Sequence, residues 1–155
     1  MKMRILSVCL AFVLLLSMAG CDGGKVNMDI EAVYSDICAT VHVPEMLLLN
    51  ESLMLDYCGI RAEDVNKAIV VICADSLRTD EIWLLEAKDS ASAQRLMNLA
   101  QKRLTKKGEE SITYSPAQYA VVEKAQLLQE GNYIALLVSP DAEAMAKVFL
   151  QAAGK

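Results

Sequence analysis

Apolar and polar positions alternate along this chain in patterns that predict its elements. Ile5 to Leu16 is continuously apolar apart from Ser7 and follows the bases Lys2 and Arg4. Further on, Ile30, Val33, Tyr34, Ile37 and Val41 recur at helical spacing, with Glu31, Ser35 and Asp36 between them. That is one apolar stripe on a helix. Pro44 can open a second helical piece. Met46–Leu49 and Leu53–Leu55 are apolar, and Gly59 offers a C-terminal stop. The pattern predicts two helices across 29–58, the second interrupted near Asn50.

AIVVICA, residues 68–74, is a short β-branched run and reads as a buried strand. EIWLLEA, 81–87, reads as a second strand after the polar turn Asp75–Asp80. Asp89 or Ser90 caps a helix with apolar positions Ala93, Leu96, Met97, Ala100 and Leu104. Its bases Lys102, Arg103, Lys106 and Lys107 suit the negative end of a helix dipole, and Gly108 is the expected stop. Ser115-Pro116-Ala117-Gln118 carries a cap, a first-turn proline and a capping-box residue. KAQLLQ and YIALLVS form a hairpin about Glu130-Gly131-Asn132. Ser139-Pro140 opens a last helix with the stripe Met145, Val148, Phe149 and Ala152.

These elements repeat. Residues 80–100 lie over 131–151 at an offset of 51, and ahead of each VNKAIVV (65–71) resembles VEKAQLL (122–128). Each unit is strand, strand, helix, either an internal repeat or two common ββα units made alike by the same patterning. The expected fold is α+β: N-terminal helices, then a duplicated ββα unit forming a four-stranded antiparallel sheet with helices packed on a face. IVVIC and ALLV are apolar at consecutive positions, whereas a strand covered on one face should alternate. The second sheet face must therefore be covered too, by the N-terminal helices or by a partner subunit.

Charge narrows the choice of partners. Residues 21–155 carry 13 Lys/Arg against 20 Asp/Glu, a formal charge of −7. Such a domain repels nucleic acid, and no basic cluster interleaved with aromatics offsets that. Nucleic-acid binding is set aside.

The leader decides location. A basic start, an apolar run and the small-residue segment Ser17-Met18-Ala19-Gly20 precede Cys21, the plan of a secretory signal. Residues 5–20 as a helix would span roughly 24 Å, short of a hydrocarbon core of about 30 Å. Ala19-Gly20-Cys21 resembles the lipobox of bacterial lipoproteins, with Met18 where that family usually has Leu. The resemblance implies a diacylglyceryl group on the Cys21 thiol and cleavage before it. Two acyl chains anchor stably where one is marginal. The expected organisation is a signal peptide at 1–20, lipidated Cys21 with a short flexible tether at 21–28, and one globular α+β domain at 29–155. A tether of about six residues spans roughly 13 Å, which keeps the domain beside the bilayer.

Catalytic residues are sparse. His42 is the one imidazole in the chain, so a Ser/His/Asp triad or His/Cys metal site has little to build on. No S-x-x-K and no Gly-rich phosphate loop occur, and DSLRTDE lacks the ligand spacing of a calcium loop. Glu63-Asp64 and Glu109-Glu110 read as solvated acids. Cys38, Cys58 and Cys73 read as small apolar core residues, and whether two of them form a disulfide is left open. Trp83, Tyr114, Tyr119 and Tyr133 could line a recognition surface, but packing is the better reading for them. No catalytic, cofactor-binding or metal residue is assigned, and lipidation of Cys21 is the one site.

Tyr114-Ser115-Pro116-Ala117-Gln118-Tyr119, the hairpin Gly131-Asn132-Tyr133 and the strand end Val138-Ser139 before Asp141 resemble a family of bacterial lipoproteins. It is found mainly in clostridia-like Firmicutes and is known as domain of unknown function 4358. The resemblance covers residues 28–152. It implies a lipid-anchored location and no reaction, cofactor or ligand. The expectation is a non-enzymatic binding or accessory domain. It would be held by Cys21 on the outer face of the cytoplasmic membrane, where it would meet a protein partner. The alternatives are a sensor or carrier with a cavity between sheet and helices, and an enzyme built from carboxylates or tyrosines.

Overall fold

The computed structural model describes residues 26–155. The expected signal peptide and Cys21 lie outside the described residues.

Helix α1, Ile30–Thr40, starts where the Asp29 carboxylate accepts the Glu31 N–H. Ile30, Val33 and Ile37 form its buried stripe, as the spacing predicts. The next segment departs from expectation. Met46–Leu48 is strand β1, not the start of a helix. It pairs antiparallel with strand β2, Val65–Cys73, through Met46↔Cys73 and Leu48↔Val71. An apolar run of four residues fits a short strand as well as a helical turn, and the ladder with β2 decides between them. Asn50 then caps helix α2, Glu51–Cys58, by accepting the Leu53 N–H. Gly59 ends it with φ +73°, a left-handed cap suited to glycine.

After a 3₁₀ turn at Ala62–Asp64, β2 leads to β3, Glu81–Ala87. Helix α3, Ser90–Tyr114, is capped by Asp89 through the Ser92 N–H at 2.7 Å. It runs straight through Gly108, contrary to expectation. Packing of its last turns against α4, Pro116–Glu123, outweighs a helix-interior glycine cost of about 1 kcal/mol. Strands β4, Gln126–Glu130, and β5, Tyr133–Val138, turn at Gly131, φ +59°. Helix α5, Ala142–Ala152, is preceded by Asp141 rather than opened by Ser139-Pro140. The Ser139 hydroxyl instead accepts the Asp141 N–H.

The fold is α+β, with one antiparallel sheet of order β1-β2-β3-β5-β4. It has five strands where four were expected, and the extra one is the edge strand β1. The sequence offset of 51 carries Leu84 onto Ala135, and these two residues pair with each other across β3 and β5. The two hairpins are thus related by an approximate two-fold through that pair. The helices break it: α3 covers one face and α5 the other. The β5–α5 link, Ser139–Asp141, is one residue longer than Lys88–Asp89.

Each face has its own core. Trp83, Leu85, Ile134 and Leu136 pack under α2 and α3. Ile82, Leu84, Ala135 and Leu137 pack under α1 and α5. The N-terminal helices therefore cover both faces, one each. Continuous apolarity of the central strands follows from that double cover. Met28 is buried and Val26 packs on the second core, so the domain's packing begins before residue 29.

Candidate functional site

The strand directions place two groups of loops at opposite ends of the sheet. Val26, Asn66, Glu86, Gly131 and Lys155 gather at one end, around a groove of about 1150 Å³. At the other end, the β2–β3 turn faces the corner between α3 and α4. Leu77, Arg78, Lys107, Tyr114 and Gln118 line a groove there of about 710 Å³. The length of β3 between these ends is roughly 20 Å at 3.3 Å per residue.

A buried ion cluster adjoins the second groove and reaches it through Lys107. Glu81 alternates with Trp83 and Leu85 on one face of β3, so its carboxylate points under α3. It is 0% exposed. The Trp83 indole N–H donates to Glu81 Oε1 at 2.6 Å. Arg103 donates from Nε and Nη2 at 3.0 and 2.9 Å, and Lys107 Nζ lies 2.9 Å from Oε2. Lys107 also donates to the Thr79 carbonyl, and the Gln118 side chain accepts from the Thr79 N–H and hydroxyl. Arg103 and Lys107 sit four residues apart on α3, so both reach one carboxylate. Beside them, Arg78 holds the buried Asp80 through a bidentate pair at 3.0 and 3.1 Å.

This arrangement fixes protonation states. Burial pushes the Glu81 carboxyl up, but the Arg103 hydrogen bonds and the Lys107 and Arg103 charges outweigh it and hold it below the usual carboxylate range. Burial and the nearby Glu81 charge push the Cys58 thiol up to about 12. The cluster thus carries a fixed carboxylate and a protonated thiol. Among the described residues, every buried side-chain polar atom has a partner.

Other expected residues fall elsewhere. His42 is exposed between α1 and β1. Cys58 and Cys73 are buried free thiols, while Cys38 is exposed and free, against the core reading. Asp64 is buried, not solvated. Arg95 and Arg61 pair with it, and the Arg95 hydrogen bonds lead in lowering its pKa. Glu109 and Glu110 are exposed, on α3 rather than in a loop. In DSLRTDE, Asp75 caps the Leu77 N–H. Trp83 and Tyr133 are buried, whereas Tyr114 is 86% exposed at the groove. No group of three or more metal-ligating side chains occurs among the described residues, nor any helix long and apolar enough to cross a membrane.

Sequence reasoning missed Glu81, Arg103 and Lys107. The available signal was an acid in register with Trp83 and Leu85, and two bases one helical turn apart. By sequence pattern the bases suit a helix end, but the helix ends further on, at Tyr114.

No curated protein and no solved structure matches the chain. A family profile does match, over residues 39–139, from the end of α1 to the residue after β5 and across more than half of the chain. The chain belongs to the family described as Domain of unknown function (DUF4358).

Proposed function

We propose that this chain is a lipid-anchored domain on the outer face of the cytoplasmic membrane, acting as a binding or accessory module and not as an enzyme. The anchor is Cys21, on the strength of the Ala19-Gly20-Cys21 motif. Five Cα steps separate Cys21 from Val26, so the anchor lies within about 18 Å of Val26. That puts the Val26 end of the sheet toward the bilayer.

The observation that carries the binding reading is the contrast between the two ends. Leu77 is 82% and Tyr114 86% exposed, and both border the groove remote from Val26. Ile112 is exposed on the same stretch of α3. Large exposed apolar side chains that cluster in this way mark docking surfaces. The perturbed groups beneath support a non-catalytic role: Glu81 is shifted down and Cys58 up, both away from neutral pH. General acid–base work favours the opposite. The space between sheet and helices is filled by fully buried side chains such as Trp83, Leu96, Ile134 and Phe149, which favours surface binding over an internal carrier cavity.

Photocrosslinking residues placed singly at Leu77, Tyr114 and Asn132, in native membranes, test this reading. Leu77 and Tyr114 should yield one and the same discrete protein adduct and Asn132 none. Equal labelling from all three positions, or no adduct from the first two, overturns it.

A further inference from the structure

A third cavity lies on the α3 side of the sheet, where the 3₁₀ turn meets the first half of α3. Its volume is about 310 Å³, and Arg61, Asp64, Arg95, Asn98 and Lys102 line it. In a domain that carries −7 beyond residue 20, three cations and a single carboxylate line this cavity. Asp64 needs only two of them. Arg95 donates to Asp64 Oδ1 from Nε at 3.0 Å and from Nη2, and Arg61 Nε stands 3.6 Å from Oδ2.

The Arg95 guanidinium is held in place before any ligand arrives. Its Nη2 also donates to the Ser92 hydroxyl at 2.8 Å. These bonds leave its Nη1 edge without a partner among the described residues. Lys102 Nζ and the Asn98 amide likewise have none there, while Arg61 Nη1 is tempered by Glu63 at 3.0 Å. Arg95, Asn98 and Lys102 follow at spacings of three and four, so one face of α3 presents them together. Gly59 borders the same cavity in its left-handed cap and adds no side chain to fill it.

A fixed guanidinium edge, an ammonium and an amide donor converge on one small cavity. That donor set fits a tetrahedral oxyanion with several acceptor oxygens. We propose that Arg61, Arg95, Asn98 and Lys102 form a binding site for a phosphate-type oxyanion, supplied by a phospholipid headgroup or by phosphate in solution. The cavity sits at the sheet end that carries Val26. The Asp64 carbonyl accepts the Lys88 N–H there, and Asn66, two residues on, lines the Val26 groove. A bilayer phosphate is thus within the domain's neighbourhood if the anchor reading holds. Binding of free phosphate does not depend on that reading.

The test uses the full chain in neutral detergent and in nanodiscs, with the Asn98 side-chain and Gly59 amide resonances as reporters. One arm titrates inorganic phosphate at constant ionic strength. The other compares phosphatidylcholine nanodiscs with and without phosphatidylglycerol. Saturable shifts in the first arm identify free phosphate as the source, and shifts only with phosphatidylglycerol identify the headgroup. In whichever arm responds, Lys102→Gln should weaken binding roughly fivefold to tenfold, and Asn98→Leu should weaken it too. Lys106→Gln, on the same helix but paired with Glu110 outside the cavity, should change it less than twofold. No shift in either arm overturns the proposal, and so does equal weakening by Lys102→Gln and Lys106→Gln. The membrane location is measured separately, so its failure leaves the phosphate arm standing.

Discussion

Replacing Glu81 by leucine should destabilise the domain by about 3–5 kcal/mol, the range for breaking a buried ion pair by removing one partner. The structure sets where in that range the loss falls. Arg103 and Lys107 keep 17% and 12% of their side chains exposed, so the orphaned cations recover some hydration. The Trp83 N–H does not, because Trp83 is 0% exposed. A loss near 3 kcal/mol is expected. With a urea dependence of about 1.5 kcal/mol per molar, the unfolding midpoint drops by roughly 2 M. Trp83 is the sole tryptophan, so its fluorescence reports the transition. Glu81→Leu/Arg103→Leu/Lys107→Leu removes the stranded charges as well and should regain at least about 1 kcal/mol over Glu81→Leu. Acid adds a second check. The folded pKa of Glu81 is depressed, so its stabilisation is complete above the unfolded value of about 4.3 and fades as pH falls through the folded value. The gap between wild type and Glu81→Leu should narrow over that acid window. A Glu81→Leu loss below about 1 kcal/mol, or a triple variant no more stable than the single one, would show that the Glu81 cluster does not hold the fold in this way.

Three further substitutions or probes read other parts of the fold. Gly108→Ala should raise stability by up to about 1 kcal/mol in urea unfolding, because a Cβ there meets Tyr119 and Val122 at 3.9 Å, ordinary contact distances. If Gly108 ended the helix, the same change would destabilise. Gly59→Ala should cost about 1–2 kcal/mol by the same assay, since φ is +73° and the added Cβ would stand 3.2 Å from Leu99 Cδ2. Iodoacetamide at pH 8 should label Cys38 and spare Cys58, whose thiol is buried and pushed up to about 12. Peptide mass mapping before and after unfolding separates the two.

Strands β2, β3, β4 and β5 were legible because their residues obey local rules: β-branched runs, a Gly-Asn turn and caps at Asp89 and Ser115. At Ser115-Pro116 the predicted cap forms, because the Ser115 hydroxyl accepts the Gln118 N–H. The capping box does not, since the Gln118 side chain accepts from Thr79 and the Ser115 N–H donates to the Ser111 carbonyl. What failed depends on distant partners. Met46–Leu48 becomes a strand only because Val71–Cys73 offers it an edge. Gly108 stays helical because α4 packs against that turn. Asp64 looked solvated until Arg95, 31 residues away, closed on it. Glu81 was hidden for the same reason, since its cations sit 22 and 26 residues further along the chain. The faces of α3 and α5 were misjudged because one residue of loop length carries no hydrophobic signal.

The proposed role rests first on lipid at Cys21 holding the domain to a membrane. The most direct measurement is mass spectrometry of the N-terminal peptide from protein extracted out of native membranes. The expected result is a peptide that begins at Cys21 and carries the mass of a diacylglyceryl group on its thiol, with Cys21→Ser leaving the membrane fraction. An N-terminal peptide that begins elsewhere, or an unmodified Cys21 in membrane-bound protein, would contradict it.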